Sequence, residues 1–409
     1  MSSPEHELPQ RPSLSSWLPR ASVFPHDAEV LPELDGLRGL AVMLTVVYHL
    51  ALYIPRVVPL NPGDPLGRVL SHGGVFAFGA SGVHLFFVLS GFLILRPFAV
   101  AILERKRLPS TRRFFARRAL RILPAYWFAL LVIAAAVPTT RSDFALHLFL
   151  LHNWSEGTIE SINPPFWTMA IESQFYLLVP LLGFALHRLT GERGRAGLVA
   201  FLLLLAAAPL VCALARHELA QLSPTLATHS PLFYTFGYLF VFAAGAAGSF
   251  LHVAYERHRL PPSVARYVPR YARWAGVLGL CALFVQAATN AIHPETMYVE
   301  RASYWVWSVP LLGVGFGGLV LGTLYGFPSW KRVFSWRWLR FLGVISYSLY
   351  IWNIPLFKYV VLPGAARTGA DGWILAEAFA GLLLVVLPVS YASFLFLERP
   401  AFSMRFKLH

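Results

Sequence analysis

The sequence predicts an all-α polytopic membrane protein of about ten transmembrane helices, with both termini in the cytoplasm. Three observations carry this prediction: the composition, the spacing of the apolar segments, and the placement of Lys and Arg. Of the 409 residues, 56% are hydrophobic and only 13% are charged, whereas soluble proteins carry roughly 25% charged residues. The mean hydropathy is +0.57. A lipid bilayer accommodates so much apolar surface because its acyl chains solvate the outside of a helical bundle.

The apolar segments have the length that a membrane crossing requires, which is about 20 residues. Ten of them follow one another, at 37–54, 76–96, 119–137, 166–186, 197–215, 232–252, 272–290, 303–325, 340–362 and 373–397. The connections are short, so we expect one membrane domain over residues 33–402 and no sizeable soluble domain. Residues 1–32, rich in Pro, Ser and charge, are expected to form a flexible cytoplasmic tail. Residues 403–409 are expected to form a short second tail.

The basic residues support this alternation. With the N-terminal tail inside, 27 of the 34 Lys and Arg residues fall in segments predicted to be cytoplasmic and 7 in segments predicted to be outside, as the positive-inside rule requires. The net charge of +14 then reflects topology and contact with anionic lipid, so we expect no nucleic acid partner. The expected location is a multi-pass position in a cell membrane of the bacterial inner-membrane type.

Ionisable side chains inside membrane helices are costly and mark candidate sites. Arg38 and His49 are eleven residues apart in the first segment, about 16 Å along a helix axis and close to three full turns. Both therefore project from nearly the same face, with Arg38 at the cytoplasmic mouth and His49 deeper. Two interpretations stay open: a donor entrance joined to a general base, or a hydrogen-bonded histidine beside an interfacial arginine.

Glu172 lies six residues after the start of the fourth segment, at a depth in the membrane similar to that of His49. A carboxylate beside an imidazole fixes its tautomer, so the two residues are a candidate catalytic pair. A structural glutamate bonded to a tyrosine or a backbone amide is the alternative. His84, at comparable depth in the second segment, is a candidate lining residue of the same cavity, although a structural role is favoured.

Arg118 and Arg121 form an i, i+3 pair at the cytoplasmic start of the third segment. Their guanidinium groups suit the phosphates of a nucleotide-like donor, and plain topogenic charge is an equally weighted alternative. The sequence contains no GxSxG, P-loop or HExxH motif. No metal site is expected.

Six ordered motifs resemble those of one family. They are Pro32–Ala41 with His49 eleven residues after Arg38, Gly82–Ile94, Arg117–Tyr126, Trp167–Tyr176, Ser346–Trp352 and Glu398–Pro400. Together they resemble the acyltransferase 3 family of integral membrane acyltransferases, over about residues 33–402. Several motifs in the same order are far more specific than any one of them.

The resemblance implies an O-acyltransferase that uses cytoplasmic acyl-CoA, acetyl-CoA in particular, as co-substrate and has no permanently bound cofactor. It implies a carbohydrate or glycosylated small molecule as the acceptor, at a hydroxyl group. It implies catalytic roles for His49, as general base, and Glu172. Arg38, Arg118 and Arg121 are the expected donor-binding residues. The candidate pocket-lining residues are His84, Ser90, Tyr176 and Asn353.

Three positions depart from the family pattern and put the acceptor preference in question. Asn353 stands where the family often has His, Ser173 where a second acid is common, and His84 where Asp is common. A covalent acyl relay through His49 stays open as a variant of the mechanism. Two other classes of function also stay open: a transporter or flippase, against which no inverted repeat is visible, and an inactive membrane scaffold.

Overall fold

The computed structural model describes residues 31–57, 71–155, 157–222, 237–293, 304–364 and 373–406. Every regular element in these ranges is helical, and the described part of the chain contains no strand. The all-α class predicted from composition is therefore confirmed. The predicted N-terminal tail falls outside the described residues except for 31 and 32. The predicted C-terminal tail, 403–409, is described as far as residue 406, and that part continues the last helix.

The helices follow one another with short connections. In chain order they are α1 Pro32–Val57, α2 Gly82–Leu103, α3 Thr111–Ala136, α4 Arg141–Leu148, α5 Phe166–Leu222, α6 Leu239–Glu256, α7 Pro262–Ala265, α8 Val268–Ile292, α9 Val309–Leu321, α10 Pro328–Phe334, α11 Arg337–Val344, α12 Ser346–Leu356, α13 Ile374–Gly381, α14 Leu387–Ser393 and α15 Arg399–Phe406. A 3₁₀ segment at Ser71–Ser81 leads into α2. A π-helical turn at Phe357–Val361 extends α12. Two more, at Leu382–Val386 and Phe394–Glu398, join α13, α14 and α15 into one continuous helical segment.

Eight of the described helical segments are long and apolar enough to cross a membrane. They are Pro32–Pro55, Phe76–Leu103, Thr111–Ala136, Phe166–Thr190, Leu239–Glu256, Val268–Ile292, Val306–Gly326 and Ile374–Phe402. The chain is thus a multi-pass membrane protein. The total of ten crossings and the cytoplasmic position of both termini stay predictions.

Two of the ten predicted segments take a different form. The segment 340–362 is divided at Ile345 into α11 and α12. The segment 197–215 is not a separate helix, because α5 continues through it for 57 residues in all. The polar stretch at 187–196 was expected to break the helix there. Its two glycines each cost only about 1 kcal/mol in a helix, and charged side chains such as Glu and Arg are good helix formers.

Glycine residues let the central helices approach closely. A Cβ atom on Gly91 would lie 2.1 Å from the carbonyl oxygen of Phe242, and one on Gly245 would lie 1.9 Å from that of Val88. These two residues therefore set the contact between α2 and α6. On the other side of the bundle, a Cβ on Gly39 would lie 2.0 Å from the carbonyl oxygen of Leu339. Small residues commonly serve this purpose between membrane helices.

An ion pair with a buried carboxylate and an exposed lysine fixes the start of α1. Lys331 Nζ in α10 lies 2.9 Å from Glu33 Oε1, and the Glu33 side chain is almost fully buried. α1 also packs along α11, where a Cβ on Gly343 would lie 1.8 Å from the carbonyl oxygen of Asp35. These contacts hold the N-terminal end of α1 and so fix the direction in which Arg38 points.

Candidate functional site

A cavity lies between α1, α2, α3, α5 and α12. Its wall combines apolar and aromatic side chains with charged ones. The lining residues are Arg38, Val83, Phe86, Phe87, Leu89, Ser90, Leu93, Ile94, Arg118, Arg121, Ile122, Thr168, Met169, Glu172, Tyr176, Ser346, Tyr347 and Tyr350. A site with this lining suits a ligand that has an apolar part and an anionic end.

Three arginines supply the positive charge of the cavity. Arg38 Nη2 donates to Ser346 Oγ at 3.3 Å, and the Arg118 guanidinium stacks 5.5 Å from the ring centroids of Phe114 and Tyr176. Among the described residues, no carboxylate lies within 4.0 Å of Arg38, Arg118 or Arg121. Arg118 Nε is buried and has no hydrogen-bond partner in the described part of the chain. No close carboxylate among the described residues therefore neutralises these guanidinium groups, and their positive charge can attract an anion.

Glu172 places a single negative charge in the same wall. Its Oε1 atom accepts hydrogen bonds from Ser90 Oγ at 2.8 Å and from Tyr176 Oη at 2.6 Å. Its charge acts over a longer range on both Arg38 and Arg118. Ser90 and Tyr176, predicted to line the pocket, do line it. Their hydroxyl protons point at Glu172, so neither is presented as a free donor to the cavity.

His49 has a different partner from the one predicted. Its Nδ1 lies 2.6 Å from Asn353 Oδ1 on α12. The Asn353 amide nitrogen in turn donates to the carbonyl oxygens of Leu349, at 3.0 Å, and Tyr350, at 2.7 Å. No hydrogen bond joins His49 to Glu172 in the described residues, which corrects the expectation that they form a pair.

His49 also lies beside the cavity and not in its wall. Tyr350 lines the cavity, and its ring centroid lies 6.3 Å from that of His49. Tyr350 packs edge-on against Phe86, and its hydroxyl is hydrogen-bonded to Thr168 Oγ1 at 3.1 Å. Tyr350 and Phe86 thus form an aromatic wall of the cavity, and Tyr350 also lies beside the imidazole.

The proline in α12 leaves one backbone carbonyl oxygen without its helical donor, and a side chain from the segment before α5 binds that oxygen. Pro355 has no N–H group, so the carbonyl oxygen of Ile351 loses its normal helical donor. Asn163 Nδ2 donates to that oxygen at 3.0 Å. The bond ties the start of α5 to α12 two residues before Asn353.

His84 does not line the cavity, which corrects that expectation. The side chain is buried, and its Nε2 lies 3.1 Å from Tyr304 Oη. Tyr304 Oη lies 2.9 Å from Tyr238 Oη. The favoured interpretation, a structural histidine, fits these contacts, because Nε2 belongs to a buried hydrogen-bonded chain with two tyrosines.

Several residues in or near the cavity belong to family motifs, but the sequence predicted no role for them. Ser346, Tyr347 and Tyr350 belong to the α12 motif and line the cavity. Tyr347 Oη donates to the carbonyl oxygen of Ile122 in α3 at 2.9 Å. Glu398, of the last motif, is buried and bonded to Ser348, with its charge acting on Arg38. The motif spacing was the available signal, since none of these residues is conspicuous alone.

A second polar cluster lies outside the spanning segments, between α3 and α5. The rings of His147 and His152 stack at 4.0 Å, with an interplanar angle of 7°. His147 Nδ1 lies 3.1 Å from Asp143 Oδ1, which also accepts from Ser161 Oγ at 2.9 Å. Burial lowers the pKa of His147 against the opposing effect of Asp143. Burial, followed by the effect of His147, lowers the pKa of His152 to about 3.

The acyltransferase family model, described as an acyltransferase domain, matches residues 31–395. These residues include every side chain of the cavity and nearly the whole chain. The chain belongs to this family. The resemblance read from the motifs is thereby confirmed, and the site described above is the central cavity of a family member.

Relatives within the family carry names that refer to acyl transfer. The chain is 25% identical over 396 residues to the peptidoglycan O-acetyltransferase OatA of Listeria monocytogenes serovar 1/2a, covering 92% of this chain and 56% of that protein. It is 24% identical over 349 residues to a Staphylococcus aureus strain COL protein provisionally named O-acetyltransferase, covering 81% of this chain and 51% of that one. It thus spans about half the length of these two relatives.

A further relative matches over most of its own length. It is a Komagataeibacter xylinus protein provisionally named membrane-bound transacylase BcsY, 24% identical over 404 residues, with 90% of this chain and 82% of that protein covered. No solved structure matches the chain.

Proposed function

We propose that this family member is a membrane-embedded O-acyltransferase of the cell membrane. It would move an acyl group, acetyl in particular, from acyl-CoA to a hydroxyl of a carbohydrate-type acceptor. The observation that carries the proposal is the placement of Arg38, Arg118 and Arg121 around a largely apolar cavity, with no ion-pair partner among the described residues. Family membership supports the same reaction class.

The cavity has the two kinds of lining that acyl-CoA requires, one positively charged and one apolar. The guanidinium groups of Arg118 and Arg121 suit phosphate oxygens, because their planar N–H pairs bind such groups in a forked geometry. The apolar wall of Phe86, Leu93 and Met169 suits the uncharged arm that carries the thioester. Glu172 limits the local positive charge and holds Ser90 and Tyr176 in place.

The reaction needs a base for the acceptor hydroxyl. His49 takes the hydroxyl proton, and the oxygen attacks the thioester carbonyl. The carbon–sulfur bond breaks as the carbon–oxygen bond forms, and the proton passes from His49 to the departing CoA thiolate. A positioned base of this kind contributes about 10²- to 10⁴-fold to the rate. The thioester must pass the aromatic wall at Tyr350 to meet His49.

The acceptor class follows from the names of the relatives and from no contact in the described residues. The name of OatA states peptidoglycan as its substrate, so we propose a sugar hydroxyl of a cell-surface glycan or a glycosylated small molecule as the acceptor. No cofactor is needed beyond the acyl-CoA co-substrate.

The experiment is acyl transfer by purified protein in lipid nanodiscs, with radiolabelled acetyl-CoA and a panel of glycan fragments. We expect labelled acetyl ester on the acceptor, and loss of at least about 100-fold of the turnover in His49→Gln. His252→Gln is the matched control, since His252 is also buried in a spanning helix but bonds Tyr325 away from the cavity. Full turnover by His49→Gln would overturn the proposed mechanism.

The same preparation separates an enzyme from a transporter. In sealed vesicles, a transporter or flippase would move the labelled compound across the membrane without forming an acetyl ester. That outcome, with no ester formed under any condition, would exclude the acyltransferase.

A further inference from the structure

We propose that Asn353 is a positioning residue that fixes the tautomer of His49, with the proton on Nδ1 and the free lone pair on Nε2. The catalytic consequence rests on the proposed function, whereas the tautomer rests on the contacts alone. Asn353 is fully buried on α12 and 304 residues away from His49 in sequence.

The orientation of the Asn353 amide follows from its two backbone contacts. The side-chain atom assigned as Nδ2 lies 3.0 Å from the carbonyl oxygen of Leu349 and 2.7 Å from that of Tyr350. Carbonyl oxygens only accept hydrogen bonds, so the group facing them must be the NH₂ end. A reversed amide would place three acceptors against one another.

The tautomer of His49 follows from that orientation. The amide oxygen is the end left to face His49, and it only accepts. The 2.6 Å contact with His49 Nδ1 therefore requires a proton on Nδ1. In a neutral imidazole the other nitrogen, Nε2, is then unprotonated and able to act as a base.

The arrangement suits a base inside a membrane. When His49 accepts a proton, Nδ1–H keeps donating to Asn353, and the bond becomes charge-assisted and stronger. Asn353 thus does what a carboxylate does in other dyads, without adding a second buried charge to a spanning helix. Its anchors lie one turn back on its own helix, so the geometry is set before any substrate binds.

Two variants and a matched control test the assignment. Asn353→Leu keeps the approximate volume and removes every hydrogen bond. Asn353→Asp keeps an acceptor towards His49 and adds charge. Asn290→Leu is the control, because Asn290 is also buried in a spanning helix but bonds Gln286 in α8. Each is measured for kcat and KM with labelled acetyl-CoA across pH, and by ¹⁵N solid-state NMR of labelled histidine.

The NMR signal of His49 is assigned by its loss in His49→Gln. We expect the wild-type signal to report a proton on Nδ1, and the Asn353→Leu signal to move towards the form protonated on Nε2. We expect kcat of Asn353→Leu to fall about 10- to 100-fold, with the KM for acetyl-CoA unchanged. Asn353→Asp should keep Nδ1 protonated and move the acidic limb of the kcat profile to higher pH, because a carboxylate favours the imidazolium.

Wild-type His49 protonated on Nε2 overturns the proposal. So does an Asn353→Leu protein with wild-type kcat and an unchanged His49 signal. If Asn353→Leu does not fold, the wild-type spectrum and the pH profile of Asn353→Asp decide the question. Failure of the proposed function gives a different result, because the wild-type protein then forms no acetyl ester. The NMR spectrum still reports the tautomer of His49 in that case.

Discussion

The ring of Tyr350 lines the cationic cavity and lies beside His49, with its centroid 6.3 Å from that of the imidazole. This relationship divides the proposed reaction in space. In the proposed reaction the donor phosphates would bind in the cavity that Tyr350 lines, and proton transfer would take place at the imidazole beside it. The thioester would have to pass Tyr350 to reach His49.

The first prediction concerns this ring. Tyr350→Ala removes the ring and opens the cavity towards His49, which admits water to the thioester. We expect acetyl-CoA hydrolysis without acceptor to rise relative to transfer. Tyr350→Phe keeps the ring and loses only the bond to Thr168, so we expect a wild-type ratio. Release of labelled acetate against labelled ester measures it, and equal ratios in all three proteins would contradict the assignment.

The second prediction concerns donor binding. Arg118→Lys keeps the charge but loses the forked geometry and the stacking on Phe114 and Tyr176. A hydrogen bond to a charged group contributes about 1.5–3 kcal/mol, so we expect the Kd for acetyl-CoA to rise about tenfold. Arg117→Lys on the exposed face of α3 is the control. Calorimetric titration measures both, and unchanged binding by Arg118→Lys would argue for topogenic charge.

The third prediction separates the roles of Glu172 and Asn353. Glu172→Gln keeps an oxygen to accept from Ser90 and Tyr176 and removes only the negative charge. Because no described hydrogen bond joins Glu172 to His49, we expect the pH profile of kcat to stay in place. Acetyl-CoA should bind at least as tightly, since the nearby arginines lose an opposing charge. A shift in the acidic limb of the kcat profile would contradict this and indicate that Glu172 interacts with His49 as its catalytic partner.

The fourth prediction concerns the acid sensitivity of the segment between α3 and α5. The pKa of His152 is about 3 in the folded protein, against about 6.5 when unfolded. The unfolded chain therefore binds more protons between these values, and stability falls as the pH drops below about 6.5. From pH 7 to pH 5 the loss is about 2 kcal/mol for this group.

His152→Phe keeps a ring against His147 and removes the titrating group. We expect its Tm to fall less than that of the wild type between pH 7 and pH 5, as measured by thermal unfolding in detergent. Parallel curves for the two proteins would show that another group is responsible for any acid sensitivity.

The fifth prediction concerns the bond from Asn163 to α12. Asn163→Asp keeps the shape but removes the donor, which leaves the Ile351 carbonyl oxygen without a partner. A buried unsatisfied carbonyl costs about 1–3 kcal/mol, so we expect a lower Tm. Asn163→Ala should give a similar loss. A Tm equal to that of the wild type in both variants would mean that the bond contributes nothing.

The sequence alone predicts much of the fold, because apolar length and basic loops report directly on the membrane. It also predicts that Arg38, Arg118, Arg121 and Glu172 belong to one place, and the structure brings them into one cavity. Their roles stay predictions. Helix α5 was mistaken for two helices, since polarity marks where a chain leaves lipid and not where a helix ends.

The hydrogen-bond partner of His49 could not be predicted from helix length and charge. Helical rise gives the depth of a side chain along the membrane normal, and His49, Glu172 and His84 are similar in depth. Depth does not give the direction in which a helix faces around the bundle. That direction follows from long-range packing, such as the contact of α1 with α11, and it turns His49 towards Asn353.

The Asn163 to Ile351 bond has a practical consequence for exchanging parts between relatives. The segment between α3 and α5 is an obvious unit to transplant when acceptor preference is to be altered. Asn163, near the end of this segment, nevertheless stabilises α12, because its side chain supplies the donor that the proline-containing helix lacks. A chimera whose junction separates Asn163 from Pro355 would disturb the imidazole from a distance, and its loss of activity would be misread as loss of acceptor recognition.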